Sequence, residues 1–377
     1  MAGSMTTVGV VGLGTMGLGI AQVFAAAGLS VLATDAVAAA RDSARERLAG
    51  ALDRRVRAGR MTAEERDAIL GRLVVMDGPG SMGAAELVVE AVVEDLAAKR
   101  VLLAELERVV APEAVLATNT SSLSVGALAA GLRHPERLVG LHFFNPAPAQ
   151  RLVELVRHPG SAPEALERAR RLAEAAGRRV LEAPDRPGFL VNRCARPFYG
   201  EALAILEEGR GAAEIDAAML AADYRIGPFS LIDLIGADIN LAATRQIAAA
   251  MGGHPRYHVF AAQERAVAEG ALGRKAGRGF LFPDQPGAVP ADAGEIVTRI
   301  EAALVNEAGW FLAEGGVEAE TIDEAVRLGL SFPRGPFEIL SARGAGALRG
   351  ALEALEASAP MHLKGRYAPA PILAEAS

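Results

Sequence analysis

Residues 137–156 read RLVGLHFFNPAPAQRLVELV and set one histidine, His142, in a first apolar run and one glutamate, Glu154, in a second. Glu154 alternates with Val153 and Leu155, so in a strand it points to the face opposite theirs. A buried carboxylate is costly without a partner, and an imidazole is a partner that can also carry a proton. The bend Asn145-Pro146-Ala147-Pro148 can bring the two runs side by side. On this stretch alone, a structural His–Glu pair and a proton-transfer pair stand as equal alternatives.

A second constellation lies near the start. VGVVGLGTMGLGIAQVFAAAG holds Gly12, Gly14 and Gly17 in GxGxxG spacing between a β-type run and a helical one, with Leu13, Thr15 and Met16 filling the loop. In that context the first glycine permits a tight turn, the second lets backbone approach a pyrophosphate, and the third packs helix on strand. Asp35 closes the run LSVLATD, 21 residues past Gly14, where a carboxylate can accept hydrogen bonds from an adenosine ribose. Ala36 and Val37 follow it and no arginine appears before Arg41, so NAD is expected over NADP. The competing reading makes the glycines a structural turn and Asp35 a helix cap. The hydroxyl-rich ATNTSSLSV, residues 117–125, also follows an apolar run, a place where a doubly wound sheet presents side chains to ligand. Serine, threonine and asparagine there serve equally as turn formers.

The elements that must position these residues alternate. From Thr7 to Pro112, short aliphatic runs (TVGVVG, LSVLATD, LVVEAVV) exchange with longer helical stretches, which predicts βαβ units in a Rossmann-like, mostly parallel, doubly wound sheet. Further runs at AVLATN, RLVGLHFF, RLVELV and RRVLEAP extend it to a domain over residues 5–184. APDRPGFLVNR then breaks the pattern with prolines and glycine, and helical periodicity takes over. Glu201 to Leu234 and Glu307 to Leu340 share one scaffold: Glu-Ala, an apolar helix, Ile-Asp, then Gly-Pro-Phe, and Arg256-Tyr257 and Arg366-Tyr367 extend it. Two all-α modules are therefore expected, over residues 187–285 and 291–377, joined through PDQPGAVPADAGE.

With 377 residues, 51% hydrophobic and 23% charged, the chain can bury large cores. A net charge of -7 argues against a nucleic-acid binder, which needs a basic face. Cys194 is the only cysteine, which excludes an internal disulfide framework or a cysteine-based zinc site, and no metal is expected. No uninterrupted apolar run is long enough to span a bilayer, and the start lacks the order of a secretion signal, so a cytoplasmic protein without membrane partners is expected. Residues 1–4 of the opening MAGSM read as an expression remnant ahead of a native Met5 and are set aside.

Taken in order, GLGTMGLGIAQVFAAAG, LVVEAVVEDLAAKR, TNTSSLSV, GLHFFNPAPAQRLVELV, DRPGFLVNR, IGPFSLIDLIG and GRKAGRGF resemble the signatures of the 3-hydroxyacyl-CoA dehydrogenase family over almost the whole chain. NRCARPFYGEAL and the repeated helical module look most like its short-chain 3-hydroxybutyryl-CoA and 3-hydroxyadipyl-CoA members, including those of phenylacetate catabolism. The resemblance implies NAD as cofactor and an acyl-CoA as substrate. It implies that His142 takes the proton of the 3-hydroxyl while hydride leaves C3, and that Glu154 fixes the imidazole. Ser121 and Asn192 match residues around the reacting oxygen and acyl group. Glu94, Lys99, Ser121 and Asn145 match positions at the cofactor or the catalytic region, and Lys275 one that contacts NAD.

Coenzyme A phosphates need local positive charge, which DRRVRAGR offers in Arg54, Arg55, Arg57 and Arg60; a solvated helix face is the equal alternative. Single-module relatives dimerise through their helical domains, so the second module is expected either to act as an internal partner or to leave a homodimer in place. It carries no counterpart of PGFLVNR or GRKAGRGF, so no second active site is expected there. GLGTMG also resembles 3-hydroxyisobutyrate-type dehydrogenases, but their lysine-bearing GxxGxGxxxKxxxN helix is missing. A non-catalytic, crystallin-like role would not require the full set His142, Glu154, Ser121 and Asn192.

Overall fold

The computed structural model describes residues 6–374; MAGSM and the last three residues of the second module lie outside the described residues. The chain divides into two compact units, residues 1–186 and 187–377. Among its described residues the first holds eight strands: β1 (Thr7–Val11), β2 (Ser30–Thr34), β3 (Leu73–Val75), β4 (Leu87–Glu90), β5 (Val115–Thr118), β6 (Leu138–Phe143), β7 (Leu152–Arg157) and β8 (Arg179–Pro184). They form one sheet in the order β3-β2-β1-β4-β5-β6-β7-β8.

Neighbours from β3 through β6 are parallel, and β4 and β5 are buried along their whole length, as suits strands covered by helices on both faces. The strand order reverses between β1 and β4, which opens a crevice at their carboxyl ends. β3 was not among the apolar runs read from the sequence. It is three residues long and follows helix Ala63–Arg72, whose start is fixed by a reciprocal Thr62–Glu65 capping box.

β7 departs from the parallel pattern. It pairs antiparallel with β6 after the bend at residues 145–150, where the Pro146 carbonyl accepts from the amides of Ala149 and Gln150. An antiparallel neighbour needs no crossover helix, so β6 and β7 join directly. Helix Pro163–Ala175 then returns the chain to β8, which is parallel to β7.

In the second unit the repeated Ile-Asp and Gly-Pro-Phe have one cause. Asp216 accepts from the amides of Phe229 and Ser230, and Asp323 from those of Phe337 and Glu338, so each aspartate caps the helix that opens at Gly-Pro-Phe. A Cβ at Gly227 or Gly335 would lie 2.3 Å from its aspartate, which explains the glycine, and proline at the first helical turn loses no hydrogen bond.

The two repeats exchange equivalent contacts. Arg193 binds Glu307 (2.8 Å) and Glu314 (2.9 Å), while Arg299 binds Glu201 (2.6 Å) and Glu208 (2.5 Å). Glu307 also meets Arg256 and Tyr257, and Glu201 meets Arg366 and Tyr367. Tyr224 and Phe332, each three residues before its Gly-Pro-Phe, meet edge to face at 5.0 Å. Such reciprocity, residue i on j and the equivalent j on i, is the signature of a two-fold interface.

It also corrects the expectation that the second module lacks a counterpart of PGFLVNR. Residues 293–299, AGEIVTR, stand in that place, with Arg299 eight residues before Glu307 as Arg193 is before Glu201, and Thr298 where Asn192 would be. The match escaped a motif reading because only the glycine, valine and arginine survive; what the packing needs is the arginine.

Arg193 and Glu307 are 1% and 2% exposed. Glu307→Ala leaves two guanidiniums without their shared carboxylate, and a loss of about 3–5 kcal/mol in unfolding free energy is expected. Equilibrium urea unfolding measures it, and a loss under about 1 kcal/mol would mean that the network behaves like an exposed one.

Candidate active site

His142 and Glu154 are directly opposite each other in the β6–β7 register, so their side chains rise from the same face of the sheet. The histidine Nδ1 lies 2.6 Å from the glutamate Oε2, with the two residues 6% and 0% exposed. An ionised carboxylate can only accept, so Nδ1 donates and the proton-accepting nitrogen of the neutral ring is Nε2. Phe144 packs against the imidazole with ring centroids 4.5 Å apart. The Asn119 side chain accepts from the Phe143 amide at 2.8 Å, fixing the end of β5 against the end of β6 beside His142.

Around the crevice, Glu94 organises the hydroxyl-rich loop. One of its oxygens accepts from the Thr120 hydroxyl (2.5 Å), the Ser121 amide (3.1 Å) and the Ser122 hydroxyl (2.7 Å). Burial works to raise the Glu94 pKa, but the bond from Thr120, the charge of Lys99 and the bond from Ser122 outweigh it and hold the group below its ordinary value. Ser121 is left exposed at the loop surface, as is Asn145 just after β6.

Lys99 is not the exposed helix lysine that its sequence context allows. It is 1% exposed and held 2.6 Å from Glu90 and 3.3 Å from Glu94. Glu90 is fully buried at the end of β4 and also accepts from Thr118 and the Val92 amide. The sequence reading passed over Glu90, and it took Asn119 and Thr120 only as members of the ATNTSSLSV patch, without individual roles. The sign that singled out Glu154, a charge inside an apolar run, was equally present at Glu90 in LVVE.

The glycine turn fits a dinucleotide. Gly12 has φ +101° and an added Cβ would stand 2.5 Å from the Ala91 carbonyl; one at Gly17 would stand 1.7 Å from that of Gly12. Around Gly14 there is no atom within 4 Å of that position, so packing does not demand its glycine. Helix Thr15–Ala26 starts there without a side-chain cap, leaving amides to meet an anion. Asp35 accepts from the amides of Leu13 (2.6 Å) and Val37 (2.8 Å), which places its carboxylate at the end of β2 beside the turn. Arg41 does reach this corner, but its guanidinium is turned to the carbonyls of Asp35 and Ala36. Val37 and Val93, 60% and 70% exposed at strand ends on either side of β1, offer apolar surface to a base.

Asn192 and Lys275 belong to the second unit. Asn192 is half-buried in the short helix Val191–Cys194. Lys275 pairs with Asp238 at 2.6 Å, in a loop held by the buried Asp233 carboxylate, which accepts from the amides of Phe280, Leu281 and Phe282. Of the four arginines of DRRVRAGR, Arg55 lines a cavity of about 400 Å³ in the first unit, shared with Gln22, Pro148 and Arg178.

Residues 7–186 match the family profile described as the NAD binding domain of 3-hydroxyacyl-CoA dehydrogenase, and residues 188–282 and 294–376 match its C-terminal domain. The chain belongs to the 3-hydroxyacyl-CoA dehydrogenase family. Its first unit is that family's NAD-binding domain. It is 42% identical over 278 residues to 3-hydroxyadipyl-CoA dehydrogenase of Escherichia coli (strain K12), a match that covers 73% of this chain and 58% of that protein. A 3-hydroxybutyryl-CoA dehydrogenase of Mycobacterium tuberculosis is 40% identical over 74% of this chain and 99% of its own length. The crystal structure of 3-hydroxybutyryl-CoA dehydrogenase from E. coli superposes with a TM-score of 0.90 at 31% identity, covering 99% of this chain and 98% of that one. No helix among the described residues is long and apolar enough to cross a membrane.

The open space at Gly14 and the closed space at Gly17 separate ligand from fold. Gly14→Ala should keep the melting temperature while weakening NAD binding by roughly tenfold or more. Gly17→Ala should instead destabilise the unit. Calorimetric titration with NAD beside thermal unfolding reads both, and undiminished NAD affinity in Gly14→Ala would remove the pyrophosphate from this turn.

Proposed function

We propose that this chain oxidises the 3-hydroxyl of a short-chain (S)-3-hydroxyacyl-CoA to the 3-oxoacyl thioester, with 3-hydroxybutyryl-CoA and 3-hydroxyadipyl-CoA as the substrates suggested by the names of its relatives. The observation that carries this reading is the buried 2.6 Å contact of His142 with Glu154 on adjacent strands. Nε2 of the neutral imidazole takes the hydroxyl proton, and Glu154, already accepting from Nδ1, offsets the positive charge that develops on the ring. NAD supplies the acceptor for the hydride that leaves C3. Gly12, Leu13, Gly14, Thr15, Met16, Gly17 and Asp35 would hold that cofactor, together with Glu94, Ser121, Asn145 and Lys275, while the buried Lys99 would act on it only through Glu94. Ser121 and Asn192 orient the reacting oxygen and acyl group, so that donors are already aimed where charge develops.

For the coenzyme A phosphates we assign Arg55 ahead of Arg54, Arg57 and Arg60, because it shares a concave site with Arg178. The reciprocal contacts between the repeats support an internal pseudo-dimer, with the second module in a supporting role, since Thr298 stands where Asn192 would be needed. A reducing cytoplasm suits the buried thiol of Cys194.

His142→Gln keeps a polar side chain of similar size but no base. It should lower kcat by about 10²–10⁴-fold with NAD affinity intact. NADH formation from 3-hydroxybutyryl-CoA and 3-hydroxyadipyl-CoA checks this, and turnover near that of the unsubstituted chain would rule out His142 as the base.

A further inference from the structure

Arg196 carries a charge that no group among the described residues answers. The residue is 6% exposed, and its Nε and Nη1 are enclosed without a hydrogen-bond partner. Three residues earlier, Arg193 is as deeply buried but meets two carboxylates. The neighbour of Arg196 is the ring of Tyr199, 5.2 Å from its guanidinium carbon, and the hydroxyl of this 4% exposed tyrosine has no hydrogen-bond partner among the described residues. Burial pushes the Arg196 pKa down from its ordinary value, with Tyr199 opposing it. An uncompensated interior charge is among the costliest features a fold can carry, and it persists where a ligand completes it.

Its position says which ligand. Helix Val191–Cys194 and helix Arg196–Glu207 are separated only by Ala195, which stays in the right-handed helical region, and Pro197 accounts for the break because it has no amide to donate. Asn192, Arg196 and Tyr199 therefore follow i, i+4, i+7 spacing along one stripe. This step rests on the proposed function, in which Asn192 lies at the acyl group. In a six-carbon dicarboxylic acyl chain the terminal carboxyl carbon is three bonds beyond C3, about 4 Å away when extended. Four helical residues advance about 6 Å. The next group along the stripe from Asn192 is then a guanidinium with two donor nitrogens left without a partner and a phenol beside it, a receptor for a carboxylate.

We propose that Arg196, backed by Tyr199, receives the terminal carboxylate of a dicarboxylic 3-hydroxyacyl-CoA and makes the enzyme selective for that class over unsubstituted short acyl chains. The test is kcat/KM of the full-length protein for 3-hydroxyadipyl-CoA and for 3-hydroxybutyryl-CoA, in the unsubstituted chain and in Arg196→Met and Tyr199→Phe. The unsubstituted chain should prefer 3-hydroxyadipyl-CoA. In Arg196→Met the ratio of the two kcat/KM values should fall by roughly 30-fold or more, through KM more than kcat. Tyr199→Phe should move the ratio the same way by less, and Arg196→Met should melt no lower than its parent, because it removes an unpaired buried charge.

Equal losses on both substrates would overturn the proposal, because they would mean a structural role or a contact to the coenzyme A shared by both. A ratio that does not move, or a parent without preference for the dicarboxylic chain, would overturn it as well, while leaving the dehydrogenase reading intact. Absence of turnover with every 3-hydroxyacyl-CoA would defeat that reading and this inference together.

Discussion

The hydrogen bond from His142 Nδ1 to Glu154 Oε2 is the contact to which the rest of the first unit answers. It exists only because β7 runs antiparallel to β6 in one register: with side chains alternating every second residue, a slip by one would send Glu154 to the opposite face and leave a bare carboxylate in the interior. The proline bend sets that register, and the apolar neighbours on both strands lock it by burial. The same burial that makes an unpaired Glu154 costly makes the pair rigid, and a base held in one tautomer is what proton transfer from an alcohol requires.

A second constraint is carried by the ends of β1, β4 and β5. Glu90 and Lys99 form a buried pair beneath the crevice, Glu94 joins it from the rim, and through Glu94 the hydroxyl loop that bears Ser121 is held in place. A chain of charge-assisted bonds thus runs from the interior of the sheet to the surface where cofactor and substrate would meet the protein. In the helical unit the same principle appears as exchange: each repeat contributes a glutamate that answers the other's arginines, so neither repeat has its charges satisfied alone.

Much of this was legible in the sequence where a local rule forces a residue type. Glycines with no room for a Cβ, Gly12 and Gly17, announce their turn, and Gly227 and Gly335 with their capping aspartates announce the repeated module. His142 and Glu154 stood out because charge is conspicuous in an apolar run, yet their contact depended on a pairing direction that the run cannot express. What stayed hidden was set by three-dimensional neighbours. Glu90 is defined by Lys99, nine residues on, and Arg299 by glutamates 98 and 91 residues away. The three-residue strand β3 is too short to show a period, and the counterpart of PGFLVNR kept its packing arginine while losing the residues that make a motif.

The account makes Glu154 act through His142 and in no other way, and a double-mutant cycle on kcat addresses that directly. With His142→Gln, Glu154→Gln and the double variant compared at saturating NAD and 3-hydroxyacyl-CoA, the double variant should be no slower than His142→Gln alone, because groups that act as one unit lose their effect together. Losses that multiply, each substitution costing the same factor whether or not the other is present, would contradict the pair as a single proton-transfer device.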